Sequence, residues 1–316
     1  MLKLKDIKKQ YGRRLALSGL DLQVPSGALY GLVGPNGAGK TTLMKVMAGL
    51  LSPDGGTLTF EGIDLFKERK RAREVLGYVP DSFGMYENMT VEEYMLFFAS
   101  ANGFSGLSAR KKIYTLLEQV NLSDKTAFYL GDLSRGMQQR LCVARSLIHD
   151  PLLIIMDEPS SGLDPRTRFE FKEMILDLHE AGKTIVLSSH ILSELSEMCT
   201  DIGIIEKGKM VISGDVESIL SRVEGANPIK IKILWGAEKA LQVFRSNSAV
   251  TSVSVSGGDI LVRFEGDSAQ EARLLQELVA QGVEVREFVR EPGSLESFFM
   301  KITDHSDERV IFKNDY

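Results

Sequence analysis

Short apolar runs broken by charged residues open the chain, and Leu2–Ile7, Leu20–Val24 and Leu29–Val33 read as β-strands, the last two joined by a Pro25-Ser26-Gly27 turn. The third run enters a glycine-rich loop and then the helix-forming stretch Thr41–Leu51, giving strand, loop, helix. From Val91 to Val120 apolar residues recur at helical spacing, interrupted at Asn102-Gly103 and Ser105-Gly106, which predicts a helical subdomain over about residues 85–150. Gln138–Ile148 continues it and leads past Asp150-Pro151 into the unbroken apolar run Leu152–Met156. A second such run, Thr184–Leu187, follows the helix Arg166–Glu180 and its Ala181-Gly182-Lys183 stop. Unbroken apolar runs of this length suit strands buried on both faces of a parallel sheet. Strands alternating with helices then predict an α/β sheet covered by helices.

The pattern changes near Val223–Pro228, a linker of Gly, Asn and Pro placed at residues 222–228. Beyond it the spacing predicts strand Ile229–Leu234, helix Ala237–Arg245, strand Val250–Val255, a Ser256-Gly257-Gly258 turn, strand Ile260–Phe264, helix Ala269–Ala280 and strand Val283–Val289. That βαββαβ order is ferredoxin-like. The expected organisation is a domain over 1–221, the linker, a small α+β domain over 229–302 and a tail over 303–316.

Composition narrows the picture. With 43% hydrophobic and 26% charged residues the chain has the make-up of a soluble globular protein. No apolar run nears the ~20 residues that span a bilayer, and the first residues lack a secretory signal, so a cytosolic location is expected. The net charge of −5 argues against nucleic acid or an anionic membrane as a direct partner. Cys142 and Cys199 lie far apart without metal-ligand spacing and read as reduced structural thiols.

Chemistry concentrates in two places. Gly34-Pro35-Asn36-Gly37-Ala38-Gly39-Lys40-Thr41 fits GxxxxGK[ST] between a predicted strand and a predicted helix. Glycines there let backbone N–H groups turn towards phosphate oxygens at the positive end of the helix. Lys40 is expected on the β- and γ-phosphates and Thr41 on Mg²⁺, with Thr42 beside it. Asp157-Glu158 closes an apolar strand, where ligands of open α/β sheets bind. Asp157 is the expected Mg²⁺ orienter and Glu158 the expected general base for the attacking water. Together they indicate a P-loop nucleotidase using ATP and Mg²⁺.

Leu133-Ser134-Arg135-Gly136-Met137-Gln138-Gln139-Arg140, lying between those motifs, resembles the LSGGQ signature and QQR helix of ATP-binding cassette (ABC) ATPases. Ser161-Gly162-Leu163-Asp164 resembles the family's D-loop, and Ser188-Ser189-His190 its switch-loop histidine, which contacts the γ-phosphate. Tyr11 occupies the position of the aromatic residue that stacks on adenine. The resemblance runs over residues 1 to about 220. It implies the P-loop NTPase ABC cassette fold, with a mostly parallel core sheet, an antiparallel N-terminal β part and a helical signature subdomain, to which the spacing adds the α+β ferredoxin-like C-terminal domain. It also implies two cassettes, alike or different, closing head to tail over ATP, with Ser134, Gly136 and Asp164 serving that shared site. A separate membrane-spanning permease would hold the chain at the cytoplasmic face.

Two positions depart from the family. Asp81 stands where the Q-loop glutamine is usual; a carboxylate there can bind Mg²⁺ or position water. Arg135 replaces the first signature glycine. Ser82–Tyr94 is similar to the corresponding segment in ABC-2-type exporters, as is Gly293–Lys301 to the end of their accessory domain. The competing readings are a non-transport ABC ATPase acting on DNA or ribosomes, disfavoured by the acidic charge and the lack of a heptad insertion, and a regulatory module that binds ATP without turnover.

Overall fold

The computed structural model describes residues 1–81, 84, 86–219, 228–256, 259–290 and 310–313. The chain divides into two compact units, Met1–Val216 and Glu217–Tyr316.

In the first unit, β1 (Leu2–Tyr11), β2 (Arg14–Val24), β4 (Gly55–Phe60) and β5 (Ile63–Asp64) form a sheet in the order β2-β1-β4-β5, antiparallel throughout. A six-stranded sheet is built from β3 (Leu29–Val33), β6 (Leu76–Val79), β7 (Leu153–Met156), β8 (Thr184–Ser189), β9 (Asp201–Glu206) and β10 (Lys209–Asp215), ordered β10-β9-β3-β8-β7-β6. All its pairings are parallel except β10 with β9. β3, β7 and β8 are buried along their whole length, as their unbroken apolar runs require. The helices are α1 (Lys40–Met47), α2 (Arg69–Val75), α3 (Val91–Ala101), α4 (Gly106–Gln119), α5 (Arg135–Ser146), α6 (Pro165–Glu180) and α7 (Leu192–Met198). Leu43, Met44 and Met47 of α1 join Leu2, Leu4, Leu20 and Phe60 of the antiparallel sheet and Leu32, Ile155 and Val186 of the parallel sheet in one apolar cluster. This packing fixes the start of α1 against both sheets.

Caps set the helix starts that matter for the site. Thr90 and Glu93 form a capping box at α3, and Asp164 accepts from Arg166 and Thr167 N–H at α6, with Pro165 in the first turn. Ser134 accepts from Met137 N–H, so α5 starts at Arg135 and not at Gln138, where apolar spacing alone placed it. Cys142 and Cys199 are buried, and burial pushes the Cys142 thiol up to about 11 and the Cys199 thiol further, so both stay protonated.

The second unit contains β11 (Ile229–Trp235), α8 (Ala237–Ser246), β12 (Val250–Ser256), β13 (Asp259–Phe264), α9 (Ser268–Ala280), β14 (Glu284–Arg290) and β15 (Val310–Lys313), with sheet order β14-β11-β13-β12-β15. Its first four strands follow the ferredoxin-like order, and Ile229, Ile231, Val253, Val262 and Phe264 bury one face of the sheet with Phe244, Leu274 and Leu278 of the helices. Residues 222–227 of the expected linker, Gly257-Gly258 of the expected turn, Gly293–Lys301 and the tail apart from its β15 residues lie outside the described residues. Among the described residues no helix is long and apolar enough to cross a membrane.

Candidate functional site

Strand order builds the site. β8 separates β3 from β7, so the carboxyl ends of three neighbouring parallel strands release the glycine-rich loop, Asp157-Glu158 and Ser189-His190 at one edge. The loop after β3 needs glycine at two points. A Cβ at Gly34 would lie 2.3 Å from the Ile205 carbonyl oxygen; Gly39, at φ +112°, would place one 2.6 Å from the Ala16 carbonyl oxygen. Gly39 precedes α1 without a side-chain cap, which leaves the first helical N–H groups for an anion.

Lys40 is buried, and its ammonium donates to the Gly34 carbonyl at 2.7 Å and sits 3.6 Å from Glu158 Oε1. Thr41 Oγ1 donates to Asp157 Oδ1 at 3.4 Å; Ser188 Oγ donates to the same oxygen at 2.8 Å and accepts the Glu158 N–H at 2.8 Å. Ser188 therefore holds both carboxylate residues in register. Glu158 has φ +47°, a left-handed conformation that costs a non-glycine residue about 1–3 kcal/mol and persists where its surroundings enforce it. Its Oε2 lies 2.7 Å from His190 Nδ1, and the other ring nitrogen makes no hydrogen bond among the described residues.

Lys40, Thr41, Glu158 and His190 line a cavity of about 640 Å³. Asn36, Gly37, Gly39 and Thr42 of the glycine-rich segment also line it, as do Asp81, Ser161, Tyr11, Arg14 and Ala16. Of the residues expected from sequence, the cavity lining holds Tyr11, Asn36, Gly37, Gly39, Lys40, Thr41, Thr42, Asp81, Glu158 and His190, and Asp157 joins them through the bond from Thr41. Gly34 and Pro35 take part through carbonyls that accept from Lys40, and Ala38 is buried beneath the loop. Ser134, Gly136 and Asp164 are not on the cavity wall. Ser134 and Asp164 cap helices, and Gly136 is packed so closely that a Cβ would meet Thr167 Cγ2 at 2.3 Å. Arg135 lays its guanidinium over Gly162.

Arg14, Ala16 and Ser161 are cavity residues that motif reading did not single out as site residues, nor did it give Ser188 its bridging role. Ser161 and Ser188 sit within recognised stretches; Arg14 is one of several basic residues in an exposed hairpin and carries no signal of its own.

Burial raises the Asp157 carboxyl above its ordinary value, the neighbouring charges of Glu158 and Asp81 add to the rise, and the bonds from Ser188 and Thr41 oppose it. A carboxylate kept in so little water is suited to a cation. The local oxygen donors, the Thr41 hydroxyl and the Asp157 carboxylate, match Mg²⁺, which is usually held by one or two protein oxygens with substrate phosphates and water. The described residues contain no cluster of three or more His, Cys, Asp or Glu that would cage a metal on its own.

A stability prediction follows. Because its folded pKa is raised, Asp157 binds its proton more tightly in the native state, so its contribution to stability declines as pH climbs from the ordinary carboxylate range through the raised value. Asp157→Asn is expected to raise Tm at pH 7.5 in chelator, with less gain at pH 4. Calorimetry at the two pH values checks this; a lower Tm at pH 7.5 refutes it.

Known proteins resemble the chain over most of its length. A family model described as ABC transporter matches residues 17–161. The linearmycin resistance ATP-binding protein LnrL of Bacillus subtilis (strain 168) is 31% identical over 305 residues, covering 96% of this chain and 98% of its own. The Nod factor export ATP-binding protein I of Burkholderia orbicola (strain AU 1054) is 32% identical over 299 residues, 95% of each chain. Among solved structures, an ATP-binding cassette of an ABC transporter in its ADP conformation superposes with a TM-score of 0.63 at 27% identity, covering 70% of this chain and 94% of its own. A bacterial ABC transporter cassette solved as a dimer gives 0.63 at 25% identity, covering 68% and 99%.

Proposed function

The chain belongs to the family of ABC transporter ATP-binding subunits, which bind and hydrolyse ATP, and from that premise we propose how its residues divide the work and in what assembly they act. The convergence of Lys40, Thr41, Glu158 and His190 on one cavity, with Asp157 bonded to Thr41 behind them, carries the reading. Lys40 and the loop N–H groups hold the β- and γ-phosphates. Thr41 and Asp157 would hold Mg²⁺, which would supply charge neutralisation at the phosphates. Glu158 takes the proton of the attacking water from an orientation set by Ser188 and His190. The other ring nitrogen of His190 is available to the γ-phosphate, and Tyr11 provides the adenine shelf.

Ser134, Gly136 and Asp164 act on the nucleotide of a second cassette, identical or related, which explains their position off the cavity wall. The dimeric state of one solved cassette supports this. Residues 1–221 are the motor domain and 229–302 an accessory, regulatory domain. Relatives named for Nod factor export and linearmycin resistance support an ABC-2-type exporter with a separate membrane-spanning permease, the chain lying on the cytoplasmic face through that partner. Light scattering of the Glu158→Gln chain tests the assembly. ATP·Mg²⁺ should convert monomer to dimer while ADP should not; a monomer at saturating ATP, even with the permease present, refutes it.

Asp81 extends the metal role. It lies on the same cavity wall, and its charge raises the Asp157 pKa. As a further Mg²⁺ ligand it makes Asp81→Asn require about 3- to 10-fold more Mg²⁺ for half-maximal hydrolysis, the loss of one charge-assisted contact partly screened by solvent. An unchanged Mg²⁺ titration removes it from the metal shell.

A further inference from the structure

The cavity carries a second cation with no part in the scheme above. Arg14 opens β2 and is the direct cross-strand partner of Tyr11, the last residue of β1, so the hairpin tip presents an aromatic ring and a guanidinium side by side. Both line the cavity. Arg14 reaches across to the glycine-rich loop, where Nη2 donates to the Gly37 carbonyl at 3.3 Å. No carboxylate among the described residues pairs with it; that long bond is the only one it makes there. Lys40, by contrast, is buried at the start of α1 and engaged with Gly34 and Glu158.

We propose that Arg14 binds the α-phosphate of the nucleotide. This rests on the nucleotide-site reading and deepens it. Position decides which phosphate. On the proposed reading Tyr11 marks the base end, with Arg14 paired beside it, and the mutually contacting Lys40, Glu158 and His190 mark the terminal-phosphate end. A phosphodiester-like α-phosphate between those ends meets Arg14 first. The guanidinium has donors to spare beyond the Gly37 contact, and its fork matches two phosphate oxygens. The Gly37 bond holds the side chain near its binding position, which reduces the ordering cost of the new contact. The two cations thus divide the polyphosphate: Arg14 reads a group common to ATP, ADP and AMP, and Lys40 reads the β- and γ-phosphates.

That division gives the experiment. Affinities of the full-length chain for ATP, ADP, AMP and adenosine are measured by calorimetry for wild type, Arg14→Gln, Arg14→Lys and Lys40→Met. Arg14→Gln should weaken ATP, ADP and AMP by a similar factor of about 5–20 and leave adenosine unchanged, with Arg14→Lys intermediate. It should also flatten the salt dependence of ADP binding. Lys40→Met should instead weaken ATP most and AMP least. If Arg14→Gln binds all four ligands as wild type does while Lys40→Met loses ATP, the α-phosphate assignment is wrong and the site reading stands. A penalty confined to ATP, or one that persists with adenosine, also overturns it. If neither substitution affects ATP, the nucleotide-site reading fails and takes this proposal with it. Arg14 is exposed, so the Tm of ligand-free Arg14→Gln should match wild type; should that variant misfold, the Arg14→Lys pattern across the four ligands decides by the same criteria.

Discussion

Glu158→Gln is expected to lower phosphate release about 10²- to 10³-fold while leaving ATP bound, because the substitution removes a proton acceptor and little else. Gln has nearly the same shape, and the contact that sets the residue's backbone, Glu158 N–H to Ser188 Oγ at 2.8 Å, does not involve the side chain. The amide oxygen can still accept from His190, and the negative charge that competes with phosphate for Lys40 disappears. Affinity for ATP should therefore hold or rise as turnover falls. Single-turnover phosphate release beside equilibrium ATP binding separates the two effects. Release at the wild-type rate would show that another group takes the proton.

How much of this the sequence disclosed depends on whether a feature is local. The glycine-rich loop and Asp157-Glu158 are legible because the spacing along one strand–loop–helix dictates them. Ser188 is different: its bridge arises because β7 and β8 pair with Met156 opposite Leu187, which sets Asp157 against Ser188, and no linear pattern records that register. Arg14 joins the site through the fold-back of β1 on β2 and the approach of that hairpin to Gly37. β1 itself runs to Tyr11 and β2 begins at Arg14, beyond the apolar runs that revealed them, because the exposed hairpin end carries Lys8, Lys9, Gln10 and Arg13 instead of an apolar alternation. The short strands β4, β6 and β9 were missed as well. Their apolar residues are too few to set a period, and pairing within the two sheets holds them. In the second unit both helices and the first four strands follow the expected order, since each alternates or repeats over enough residues to show its period.

Lys40→Met should abolish the stabilisation that ATP gives. Lys40 is 7% exposed, and its ammonium is fixed by the Gly34 carbonyl and faced by Glu158, so it meets phosphate already desolvated and oriented. Two charge-assisted hydrogen bonds to phosphate, each about 1.5–3 kcal/mol, place the loss of ATP affinity at about 10²-fold or more. Methionine keeps the length and apolar contacts of the stem, and Glu158 keeps His190 as a partner, so the ligand-free protein should fold as before. The consequence is sharpest by linkage. At ATP equal to ~100 times the wild-type Kd, binding stabilises the native state by about 2.7 kcal/mol, whereas a 100-fold weaker variant at the same concentration gains only about 0.4 kcal/mol. Thermal unfolding with and without ATP·Mg²⁺ reads this directly: the wild-type Tm climbs by several degrees and the variant's barely moves. An equal climb in both would mean that the triphosphate is not held by Lys40, and the cavity beneath Tyr11 and Arg14 would have to bind it by other means.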